Sequence, residues 1–181
     1  TIYRNHFVSA CEEVNCLSQI SKLVNNDHER YFNVRNGYCQ PHVSKSIFRL
    51  SSRIAQEPVL AASVRSKLQV GVHWDTEVWT RTHRVCQVFC SSLPVADFKT
   101  AASASDWEGF ARALLEAAFE ATLTVGLVLA ARRGSRVKVF LTPVGGGALG
   151  NRHRWIFEAM DKALTTHRSS PLDVYLVHYA E

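Results

Sequence analysis

Residues 137–166 read VKVFLTPVGGGALGNRHRWIFEAMDKALTT, so four glycines (Gly145, Gly146, Gly147 and Gly150) fall between a β-branched run and a helical one. At the carboxyl end of a parallel strand, such a loop lets backbone N–H groups approach a diphosphate. The helix that follows adds its free N–H groups and the positive end of its dipole. Ala148 and Leu149 complete the expected cradle, and Asn151 is placed to cap the helix. No Gly-Lys-Ser/Thr follows, which excludes a Walker loop. The dinucleotide fingerprint also fails, because the loop comes late in the chain and lacks its acidic partner downstream.

A second group of chemically capable side chains is HWDTEV, which supplies Asp75 and Glu77. Cleavage of an N-glycosidic bond needs a group to orient or deprotonate water and a group to stabilise positive charge growing on the sugar, and carboxylates suit both tasks. They would also hold a guanidinium leaving group. The two-residue spacing puts both on one face if the strand continues, whereas a turn splays them. Asp75 is the first choice, because Trp74 beside it could shield a site. Solvated loop charges are the plain alternative.

The five cysteines (Cys11, Cys16, Cys39, Cys86 and Cys90) lack the paired short spacings of zinc sites and read as small buried hydrophobes in a reducing compartment. The histidines show no metal spacing either. No metal and no cofactor are expected.

The elements that must position these residues follow from periodicity. Ser9 and Glu12 have capping-box spacing before a helix that ends near Asn25 and Asn26. A short strand is predicted over 31–34, a loop at Asn36, Gly37 and Pro41, and helices from Ser44 or Ser46 and over 55–67, with Pro58 in the first turn. Strands follow over 68–73 and 85–91. Ser105 and Glu108 open the longest helix, which Gly134 closes. A strand over 137–141, a helix over 152–166 and a last strand over 173–178 complete the order. Strands alternating with helices of this length predict an α/β sandwich on a largely parallel sheet.

With 181 residues, 46% of them apolar and 20% charged, the chain suits one folded domain. Residues 1–67 would form a helical region and first strand, and residues 68–181 the core. The apolar stretch 113–131 is broken by Glu116 and Glu120 and reads as a buried helix, so no membrane is expected as a partner. A net charge of +5 favours an anionic ligand. The densest basic cluster, Arg132, Arg133 and Arg136, has no aromatic RNA-binding motif beside it, which makes nucleic acid a poor candidate.

The GGGALGN loop with its flanking strand and helix, the terminal DVYLVHY strand, and the upstream VGVHWDTEV and VCQVFCSSLPVAD segments together resemble a macrodomain of the poly(ADP-ribose) glycohydrolase-like branch. Within it they are most similar to a divergent set of MavL-type ADP-ribosylhydrolases. The resemblance covers about residues 68–180. The GGG with paired glutamates of the glycohydrolases is absent. The resemblance implies a three-layer α/β/α fold with a mostly parallel mixed sheet. It also implies hydrolysis of ADP-ribose from a modified side chain such as arginine, in the cytoplasm or, for a secreted effector, in the host cytosol. ADP-ribose or an ADP-ribosylated protein, ubiquitin among the candidates, would be the partner. Asn36 would then sit at the distal ribose, Ser91 on the ligand edge, and Tyr179 against the adenine. Two other readings stand beside this one: a module that binds ADP-ribose without cleaving it, and a basic adaptor for nucleic acid or phosphoprotein.

Overall fold

The computed structural model describes residues 15–35, 37–90, 92–96 and 102–178. Within them lie helices α1 (Ser18–Leu23), α2 (Ser44–Gln56), α3 (Pro58–Lys67), α4 (Ala104–Arg133) and α5 (His153–Thr166). The strands are β1 (Phe32–Arg35), β2 (Tyr38–Pro41), β3 (Gly71–Glu77), β4 (Arg84–Phe89), β5 (Val137–Leu141) and β6 (Leu172–Leu176). The class is mixed α/β.

Helix α4 organises the core. Ser103 and Asp106 form its capping box, with the Asp106 carboxylate accepting the Ser103 N–H at 2.7 Å, so the helix starts two residues before the box expected at Ser105 and Glu108. Gly134 ends it in the left-handed region, at φ 63°. By length and composition α4 could cross a membrane, yet half of its most apolar window is buried inside the protein. Trp107, Phe110, Leu114, Leu115, Phe119 and Leu123 are buried, and each contributes roughly 1.5–3 kcal/mol by leaving water. They pack with Ile47, Leu50 and Ile54 of α2 and with Trp155, Ile156 and Met160 of α5 in one core. Phe32 of β1 reaches the same core, its ring 5.6 Å from that of Phe110. Pro58 stands in the first turn of α3, where its missing N–H costs nothing.

The strands form three separate pairs in place of one sheet. β1 and β2 make an antiparallel hairpin, with Gly37 (φ 78°) in the turn, so residues expected as a loop up to Pro41 include a strand. β3 and β4 are antiparallel, with a bulge between His73 and Thr76. Only β5 and β6 are parallel. The difference from a largely parallel sheet has a visible cause: β4 and β5 face each other across an open cleft over α4 and share no ladder hydrogen bonds. The capping box expected at Ser9 and Glu12 lies outside the described residues.

Candidate functional site

The glycine loop leaves the carboxyl end of β5 and enters α5. Leu141 and Val139 of β5 are buried, and Val177 donates its N–H to the Leu141 carbonyl at 2.8 Å, which fixes the point where the loop departs. Three loop residues have positive φ: Gly145 (90°), Gly147 (58°) and Gly150 (67°). Their surroundings divide them. A Cβ on Gly145 would lie 2.3 Å from Ser92 Oγ, and one on Gly150 would lie 2.3 Å from Ala96 Cβ and 3.0 Å from Ala96 N. Nothing lies within 4 Å of the place a Gly147 Cβ would take. Gly145 and Gly150 therefore let the loop seat on residues 92–96, while Gly147 faces open space. Gly146 has extended backbone and no positive φ.

Asn151 does not cap α5. Arg152 takes the cap position without a side-chain hydrogen bond to the helix. The Asn151 side chain turns inward instead, is buried, and donates to Ser92 Oγ (3.0 Å), the Leu93 carbonyl (2.8 Å) and the Gly145 carbonyl (3.1 Å). With Ala96 N–H donating to the Leu149 carbonyl at 3.1 Å, it clasps the loop to the segment that follows β4. The amide oxygen of Asn151 is buried without a hydrogen-bond partner among the described residues.

This seating leaves donors available. Among the described residues, the N–H groups of Gly147 and Ala148 donate to no backbone acceptor, and the first turn of α5 has no side-chain cap. Gly147 and Ala148 are exposed. Arg152, His153 and Arg154 follow directly, all exposed, with Arg152 over the Trp155 ring at 5.1 Å and Arg154 bonded to Glu158 at 2.7 Å. The guanidinium groups of Arg152 and Arg154 at the amino end of a helix are disfavoured by its dipole unless an anion sits there. Sequence reasoning missed these three residues, although the RHR run at the helix start carried that signal.

The carboxylates are elsewhere. Asp75 and Glu77 lie inside β3, not beyond its end, and the hairpin register sets Glu77 against Arg84 at the start of β4. Glu77 is ion-paired with Arg84 at 2.9 Å. Asp75 is exposed, with φ 54° at the bulge. Trp74 does not shield it: its ring takes the Arg132 guanidinium at 4.4 Å. Burial above all pushes the nearby Cys86 thiol up, with Asp75 adding to this and Arg132 and Arg133 opposing it, which places this group by the carboxyl end of α4. Ser92 lies beyond the end of β4 that is opposite Arg84. The structure thus brings Ser92 and residues 145–151 together and leaves Glu77 at the opposite end of β4, with Asp75 at the bulge partway along it. Asn36, Ser91 and Tyr179 lie outside the described residues.

No group of three or more His, Cys, Asp or Glu side chains suited to a metal occurs among the described residues. Cys39 is buried, and burial drives its thiol far up, in keeping with a small hydrophobe. No family model, no curated protein and no solved structure matches the chain.

Proposed function

We propose that this chain binds a nucleoside diphosphate of the ADP-ribose class, with the diphosphate on Gly147, Ala148 and the amino end of α5. The observation that carries this reading is the pair of N–H groups without backbone acceptors, on Gly147 and Ala148, beside an uncapped helix start that Arg152 and Arg154 flank. The accompanying architecture is the macrodomain-like three-layer α/β/α sandwich, in which β5 and β6 are its parallel core strands.

Binding without cleavage is the form the geometry supports best, since Glu77 is paired with Arg84 at the start of β4 and Asp75 lies at the exposed bulge, whereas the loop seats on the segment beyond the other end of that strand. Release of ADP-ribose from arginine is accordingly expected to stay at background for the unaltered protein and for Asp75→Asn alike, with equal affinity for ADP-ribose in both. Release by the unaltered protein that falls about 100-fold or more in Asp75→Asn would instead make that carboxylate an acid-base group and the protein a hydrolase.

The binding site is tested by calorimetric titration with ADP-ribose. Gly147→Val puts a branched side chain into the open space at the loop while touching no neighbour, so affinity is expected to disappear. Stability should fall by only about 1–2 kcal/mol, the cost of a left-handed backbone for a side chain. Full affinity in this variant would remove the loop from the site.

A further inference from the structure

The cleft between β4 and β5 has the features of a slot for one more strand. β4 is paired only to β3 and β5 only to β6, so each presents one edge without a strand partner among the described residues. Both edges line the same opening, of about 540 Å³, and its floor is the face of α4 that carries Val125, Gly126 and Leu129. A strand residue fills about 4.8 by 3.3 by 10 Å, so the opening takes roughly three to four residues. Gly126 sets the floor: a Cβ there would lie 3.0 Å from Val139 and 3.2 Å from Leu172, so α4 is held tight beneath β5 and the opening stays above it.

Charge protects the two edges in part, through Arg84 on β4 and Lys138 on β5. No proline interrupts β4 or β5, and the bulge of the hairpin lies in the β3–β4 ladder, away from the cleft. The outward row of β5 and β6 beside the opening pairs Lys138 with Asp173 and carries Phe140, 62% exposed, stacked on Tyr175 at 5.3 Å. Charge then selects the occupant. Arg84, Arg133, Arg136 and Lys138 line the opening, and no carboxylate does. Arg84 and Arg136 are held by Glu77 and Asp173, whereas Arg133 has no ion pair among the described residues.

We infer that this cleft binds an extended segment of a partner protein by strand addition, with apolar side chains turned onto α4 and acidic residues at the end near Arg133. Main-chain hydrogen bonds to β4 and β5 would supply affinity, and the basic end would set direction. The occupant joins β3–β4 to β5–β6 as one continuous sheet.

The test uses a fluorescein-tagged peptide of alternating valine and threonine with two aspartates at one end, followed by anisotropy and by amide exchange. Saturable binding is expected, with slowed exchange at Lys138 and Phe140 and at the alternate amides of β4 that face away from β3. Arg133→Glu should weaken binding about tenfold, and the same peptide with lysines for aspartates should bind more weakly than the parent. Absence of binding, or protection confined to other strands, would overturn the inference. So would self-association of the protein that protects these same amides, because the occupant would then be a second copy.

Discussion

Gly150→Val is expected to destabilise the protein by about 3–5 kcal/mol, the sum of overpacking and a β-branched residue forced to a left-handed backbone. The position has φ 67°, and its Cβ would meet the Cβ and the backbone N of Ala96. A backbone neighbour cannot rotate away as a flexible side chain does. The loop would have to lift from residues 92–96, losing the Ala96–Leu149 hydrogen bond with it. For a chain of this size the loss corresponds to a fall of about 6–20 °C in Tm. Gly147→Val is the internal control, because it has the same class of backbone strain without the collision. Equal Tm values for the two variants would show that the seat on residues 92–96 contributes nothing.

Gly109→Ala is expected to be destabilising by about 2–4 kcal/mol, although alanine is better than glycine inside a helix by about 1 kcal/mol. Gly109 lies in the second turn of α4, and a Cβ there would stand 2.2 Å from the Ser51 carbonyl oxygen and 3.2 Å from the Ala55 Cβ. Contact at this crossing is direct: Phe110 N–H donates to Ser51 Oγ at 3.2 Å between the two buried residues. An added methyl must part α2 from α4 and break that bond. Urea denaturation of the variant measures the sign, and a more stable Gly109→Ala would mean that the helices do not approach as closely as described.

Local signals were legible in the sequence and distant ones were not. The apolar spacing of α2, α4 and α5 placed those helices to within a few residues, because each has a broad buried stripe. Position 58 was read correctly because proline tolerance is a property of one helical turn. Asn151 was misread for the same reason in reverse. Capping is the nearest use for an asparagine before a helix, whereas its actual partners, Ser92 and Leu93, come from a segment 58 and 59 residues earlier. Asp75 and Glu77 were recognisable as possible chemistry, but the end of the sheet they occupy is set by antiparallel pairing with β4, which composition does not announce. The glycine run showed that side chains are unwelcome there. Which glycines avoid a neighbour and which leave room depended on where residues 92–96 lie.

The Asn151 clasp has a consequence in time as well as in space. It joins residues 59 positions apart, and all of α4 lies within that span. A 30-residue helix extends about 45 Å, so the two ends of the clasp meet only after the chain has turned back along α4 and β5 has docked. Helix formation takes about a microsecond or less and closure of so long a loop comes later, which leaves the clasp outside the folding transition state. Asn151→Ala is therefore expected to speed unfolding and leave the folding rate nearly unchanged. An anion held by the clasped loop would act on the same step, lengthening the lifetime of the folded chain without hastening its formation.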